Sequence, residues 1–379
     1  ARPPNLSWSN PLVTIRPVAR ALIPVGSAAA REISAPNYDE FQSDDEIREL
    51  IAARPGSVLR VTMAHADDEH APGSLIEGSR ESLAWSSANM AELSASPLTR
   101  VAEEVLWVYE ITGPDRPGVR QIGLGGMGLT SEIRTGATPG GSIVRNEGVR
   151  EPKARGRADL IEATNAIIGT VNNAVDDESG LLDGALRRIA DGRDPDLDVT
   201  AEDGRTHRVW LVGDPWQQAE LQALLAAEPV AYVADGNHRS AAAAMLGFEE
   251  FLTVFFPTGT MGIQPYNRLI SPEVPVPTDL VGALNGSFQV TRRENQEPFQ
   301  PDRTHHIGVY ANGVWYELEP QAGTWDPANA VESIDADIVQ RHLFADALGI
   351  PDARDHRLRF VGSNRDAAYL AAEVDSGRS

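Results

Sequence analysis

The stretch Tyr232–Phe256, YVADGNHRSAAAAMLGFEEFLTVFF, decides how the chain is read. A short apolar run ends at Ala234, and Asp235-Gly236 has the chemistry of a tight turn. Asn237, His238 and Arg239 then open a run of small residues that stops at Gly247. A second apolar run follows, so the pattern predicts strand, helix and strand over 229–234, 237–246 and 251–257. A helix start leaves backbone N–H groups unpaired, and these attract phosphate. Arg239 adds a bidentate donor for phosphate oxygens. His238 can donate to a phosphoryl oxygen or shuttle a proton. Asp235 repels bare phosphate, so it fits only with Mg2+ or as the acceptor of a substrate proton. On spacing alone, a tight turn with Asp235 as helix cap explains these residues equally well.

Around that stretch, the 379 residues suggest two or three domains at roughly 100–200 residues each. Apolar content of 41% with 23% charged residues suits a soluble globular chain. No run approaches the ~18 apolar residues of a membrane helix, and the first twenty residues lack the pattern of a secretion signal. Having no cysteine excludes disulfides, thiolate metal sites and cysteine nucleophiles. The expected compartment is the cytoplasm. A net charge of −22 without a Lys/Arg cluster argues against nucleic acid as a partner. Lys153 is the only lysine; the other fixed cations are arginines.

Elsewhere, SVLRVTMAH (57–65) predicts a strand, and SDDEIRELIAAR (43–54) a helix capped by Ser43. ESLAWSSANMAELSAS (81–96) predicts a further helix. EEVLWVYEITG and VRQIGLGGMG predict two strands around the turn GPDRPG. Helices are expected over 156–175, 217–228 and 335–350, and a hairpin with a type I′ turn at Asn312-Gly313. The last seven residues, EVDSGRS, read as a frayed end. This mixture gives an α/β or α+β chain. Its expected divisions are an N-terminal α/β region (1–140), a phosphate-binding core (141–275), and a C-terminal hairpin and helical region (276–379), with turn-rich linkers at 134–141 and 271–279.

Three other motifs admit plain readings. GLGGMG (123–128) matches a dinucleotide fingerprint, but the polar, turn-rich segment after it favours a glycine-rich hairpin or loop. HADDEH (65–70) has the residues for a divalent metal, and equally for a solvated acidic loop. His305-His306 begins a hairpin strand without a carboxylate nearby in sequence, which favours a structural role. The segment 141–160 is more informative. Asn146, Glu147, Arg150, Lys153, Arg155 and Arg157 precede an apolar helix. Cations at a helix start oppose its dipole, and a bound polyanion would relieve that conflict.

With these residues in hand, the chain resembles the DUF1015 family over roughly residues 15–375. That family is similar to the ParB/sulfiredoxin-type fold, and some members act as free L-serine kinases. VADGNHRSAAAAML resembles the family's A-D-G-H-H-R and the helix after it. APNYDEF (35–41) resembles its P-P-Y-D, the segment from Arg145 to Val175 its H-E region with downstream basic residues, and IQPYNRLI (263–270) its P-x-H-R. Asn146, Asn237 and Asn267 stand where the family usually has histidine, and Gly156 where it usually has an acid. The family's terminal lysine-containing segment has no counterpart before Ser379.

The resemblance implies a small-molecule kinase acting on free L-serine or a related hydroxy-amino acid. Asn237, His238 and Arg239 would hold the phosphoryl donor (ATP, ADP or pyrophosphate), and Lys153, Arg157 and Arg268 would neutralise charge during transfer. Glu147 is the expected base, with Asp235 second, and whichever is not the base would help hold Mg2+. Tyr38, Asp39, Asn146 and Asn267 would line the acceptor side. The alternative is a non-catalytic nucleotide- or phosphometabolite-binding regulator or partner subunit. Neither reading requires a membrane, and both allow an oligomer.

Overall fold

Apolar runs give the strands their buried faces: VNNAV (171–175) is buried at alternate positions, and EFLTVFFP (250–257) is buried almost continuously from Thr253 on. The computed structural model describes residues 12–36, 41–67, 75–146, 148–295, 297–362 and 365–379. The chain divides between Gly262 and Ile263 into two compact units.

The first unit is built on one ten-stranded mixed sheet. Its strands are β1 (Ile15–Arg16), β2 (Val18–Pro24), β3 (Thr99–Thr112), β4 (Gln121–Leu129), β5 (Ile143–Val144), β6 (Val171–Val175), β7 (Leu197–Thr200), β8 (Thr206–Val212), β9 (Ala231–Asp235) and β10 (Glu250–Pro257). The order is β5-β9-β6-β10-β4-β3-β8-β7, with β1 beside β4 and β2 beside β3. Strands from both sides of residue 140 thus share one hydrogen-bonded sheet. The helices are α1 (Ser27–Ile33), α2 (Asp44–Ala53), α3 (Leu59–Thr62), α4 (Arg80–Ala95), α5 (Glu151–Thr164), α6 (Leu181–Gly192), α7 (Pro215–Leu225) and α8 (Asn237–Met245). Leu182 and Leu186 of α6 and Leu221 and Leu225 of α7 bury against Val108, Leu124, Val171, Val233, Phe251 and Phe255 of the sheet. A smaller seam joins Ala158 and Ile161 of α5 to Ala242 of α8.

GLGGMG lies inside β4. Its glycines admit rings from neighbouring strands: a Cβ at Gly125 would land in the Trp107 indole, and one at Gly123 would meet Phe256. The motif is therefore a packing device of the sheet, with no helix start behind it for a pyrophosphate.

Two expectations change. The strand expected over 57–65 is α3 followed by a single 3-10 turn, Ala64–Ala66. Leu59 and Met63 stand four apart, and both enter a helical core with Ile47 and Ile51, which overrides the local β-branched preference. The helix expected over 156–175 begins at Glu151 and stops at Asn165, whose φ of 51° is a left-handed cap. Val171 and Val175 belong instead to β6.

The second unit comprises β11 (Asn267–Ile270), α9 (Leu280–Leu284), β12 (Phe288–Arg292), β13 (Ile307–Ala311), β14 (Val314–Pro320), α10 (Asp335–Ile338), a π-helical continuation Val339–Ala347, β15 (Leu358–Val361) and α11 (Ala367–Asp375). The β13–β14 hairpin turns at Asn312 and Gly313, with φ of 51° and 75° as a type I′ turn requires. The chain end is no frayed tail: Glu373 of α11 is buried and paired with Arg359 and Arg378. His305 and His306 find carboxylates, Asp302 close by in the sequence and Asp335 and Glu317 farther along it. His305 Nδ1 is 2.7 Å from Asp335, and the two ring nitrogens of His306 face Asp302 and Glu317. Among the described residues, no helix is long and apolar enough to cross a membrane.

Candidate anion site at two helix starts

The parallel pairing of β5 with β9 sends the ends of both strands in the same direction. Arg145 and Asn146 leave β5 on the side where Asp235 and Gly236 leave β9. Gly236 has a φ of 97°, a region that costs a side chain energy. A Cβ there would also lie 2.9 Å from Arg239 Nε and 3.1 Å from Val171 Cα. Glycine thus lets the chain turn into α8 while the Arg239 stem lies against its backbone.

Two hydrogen bonds tie the segment after β5 to the first turn of α8. Asn237 Nδ2 donates to Asn146 Oδ1 at 2.5 Å, and the Arg150 backbone N–H donates to His238 Nε2 at 3.1 Å. Arg150 is the N-cap of α5, so the starts of α5 and α8 come together at this bond. Their positive dipole ends meet there too. Neither helix carries a side-chain N-cap bond.

Lys153 and Arg157 follow at successive turns of α5, flanking the buried Ala154 and Ala158. Because α5 starts five residues earlier than expected, Lys153 stands within the helix rather than ahead of it. Arg155 is engaged with Asp159 at 3.6 Å on the helix's own surface. Arg239 Nη2 reaches Asp235 Oδ2 at 2.5 Å, and its side chain is 16% exposed against 55% for Asp235. The guanidinium also packs against Gly169. Across the sheet, Asp235 stands opposite Asn172 of β6, where the register shifts.

The structure thus bonds Asn237 to Asn146 and His238 to Arg150, and places Asp235 and Arg239 at the same strand–helix junction. Asn267 and Arg268 belong to β11 of the second unit. There the Arg268 guanidinium lies 4.3 Å from the Phe360 ring centroid and 5.1 Å from that of Tyr266, and burial lowers its pKa. Tyr38, Asp39 and Glu147 lie outside the described residues, as do Asp68, Glu69 and His70 of the acidic motif. Of that motif, His65 contacts Asp44 and buried Asp67 pairs with Arg60. Among the described residues, no three His, Asp or Glu side chains cluster as a metal site.

Arg145, beside Asn146, escaped the sequence reading. It is partly buried, its Nε has no hydrogen-bond partner, and burial lowers its pKa. Only its position in a basic segment could have marked it.

No curated protein and no solved structure matches the chain. A family described as a protein of unknown function, DUF1015, matches residues 15–343. The junction at α8 and the basic start of α5 both fall within that span, and the chain belongs to the DUF1015 family.

Proposed function

We propose that the protein is a small-molecule kinase that transfers a phosphoryl group to the hydroxyl of free L-serine or a related hydroxy-amino acid. The observation that carries this reading is the junction of the two helix starts through Arg150 and His238. It puts a basic helix start beside Arg239, as a polyphosphate requires. The donor, ATP, ADP or pyrophosphate, docks its phosphates at the first turn of α8 against Arg239, Asn237 and His238. Lys153 and Arg157 offset the charge that builds up in transfer. The serine hydroxyl oxygen attacks the terminal phosphorus, the bridging oxygen leaves with the donor, and a carboxylate takes the hydroxyl proton. Glu147 is the first choice for that base and Asp235 the second, the other helping to hold Mg2+. Tyr38, Asp39 and Asn146 line the acceptor side. In this reading β9–α8–β10 is the phosphate-binding core of a ParB/sulfiredoxin-like fold, working in the cytoplasm on metabolites rather than on nucleic acid or membranes.

A second reading is favoured by one observation. The Asn237–Asn146 bond joins two amides, neither of which can carry a proton or charge. A binder of nucleotides or phosphometabolites needs no proton carrier there, and would serve as a regulator or partner subunit. Incubation with serine, Mg2+ and each donor in turn, followed by phosphorus NMR, separates the two. O-phosphoserine, or the phosphate ester of another hydroxy-amino acid in a panel, supports the kinase. No ester with any donor, alongside calorimetric binding of nucleotide or pyrophosphate, leaves the binder.

A further inference from the structure

A helix can satisfy its N-cap N–H through a side chain three residues on, as in a capping box. In α5 that position is Lys153, which has no acceptor to offer. The acceptor comes from another helix: His238 Nε2, at 3.1 Å from the Arg150 nitrogen. A ring nitrogen that accepts an N–H bears no proton, so the imidazole carries its proton on Nδ1. To give or take a proton at Nε2, the ring would have to release Arg150 and with it the start of α5.

We infer that His238 is a positioning residue. Its Nε2 fastens the first turns of α5 and α8 to one another, so that the backbone donors and cations of both helices address the same anion. The proton of the transfer step moves through a different group. This takes from the proposed function only that phosphate binds where the two helices begin. Adjacent Asn237 acts in parallel, fixing Asn146 through its own side chain.

Glutamine separates the two roles, because its amide oxygen accepts an N–H and does not titrate. His238→Gln is expected to hold inorganic pyrophosphate within about threefold of the parent, and His238→Ala to weaken it about tenfold, the scale of one lost hydrogen bond. Hydrogen exchange at the Arg150 amide supplies a reading independent of catalysis: slow in the parent and in His238→Gln, fast in His238→Ala. Where the phosphorylation assay gives turnover, His238→Gln retains measurable turnover and His238→Ala loses mainly through KM. Turnover abolished in His238→Gln with pyrophosphate binding and Arg150 protection intact would overturn the inference, since it makes His238 the proton carrier. Equal pyrophosphate affinity in all three proteins, or fast exchange at Arg150 in the parent, would overturn it as well. If no hydroxy-amino acid is phosphorylated, the kinase reading fails, while the binding and exchange measurements still decide the role of His238. If His238→Ala does not fold, His238→Gln and the parent suffice for both.

Discussion

Arg239→Ala tests the phosphate seat most directly. The side chain is largely buried against Gly236 and Gly169, and its ion-pair partner Asp235 is half exposed. A guanidinium–phosphate contact is worth about 1.5–3 kcal/mol. Part of that is offset, because a donor must share the guanidinium with Asp235, and a half-exposed pair contributes up to ~1 kcal/mol. The net loss is then ~1–2 kcal/mol, or about 5- to 30-fold in the dissociation constant for pyrophosphate. Titration calorimetry of pyrophosphate without metal, at low and high salt, measures it, with the melting temperature confirming that the variant is folded. Asp235→Asn provides the opposite sign. It removes a like charge and frees Arg239, so metal-free pyrophosphate should bind more tightly, while any gain from added Mg2+ should shrink. Arg239→Ala binding within twofold of the parent, or Asp235→Asn binding more weakly without metal, would refute the assignment.

Three further outcomes are expected. The single lysine makes amine acylation a site-specific probe: Lys153 is exposed and should react, and saturating pyrophosphate should slow its labelling; an unchanged rate removes Lys153 from the site. Gly156 is inside α5, and a Cβ there meets nothing within 4 Å. Gly156→Ala should therefore stabilise by about 0.5–1 kcal/mol and raise the melting temperature by ~1–4 °C, and a lower value would mean the site is not a free helix surface. His207 Nδ1 and the Tyr109 hydroxyl share a hydrogen bond of 2.6 Å, and burial holds the His207 pKa below the ordinary value. The unfolded chain therefore takes up the proton first, and stability falls as pH drops below about 6.5. His207→Gln keeps a hydrogen-bond partner for Tyr109 without titrating, so denaturant unfolding across that range should show a shallower pH dependence; an identical slope would assign the loss to other groups.

Local sequence determined those elements whose signals are local. Alternation and Asn312-Gly313 specify the hairpin, Ser43 and the acids after it specify α2, and Asp235-Gly236 before a small-residue run specifies the turn from β9 into α8. These signals depend on backbone preference and capping within a few residues. The segment from Val58 to Met63 misled, because its apolar residues fit a strand as well as a helix and only the contact with Ile47 and Ile51 chose between them. Two of the carboxylates around His305 and His306 were invisible for a related reason: Asp335 and Glu317 reach them through tertiary contacts.

The candidate site divides along the same line. Residue types alone marked Asp235, Asn237, His238 and Arg239 as a phosphate seat, since a helix start with a guanidinium has that chemistry in any fold. Tertiary structure decided what each residue touches there. Parallel pairing of β5 with β9 delivers Arg150 and Asn146 to α8 from about ninety residues away, where His238 Nε2 accepts the Arg150 N–H and Asn237 donates to Asn146. A sequence lists donors and acceptors, but which of them are already engaged depends on partners that only the folded sheet brings within reach.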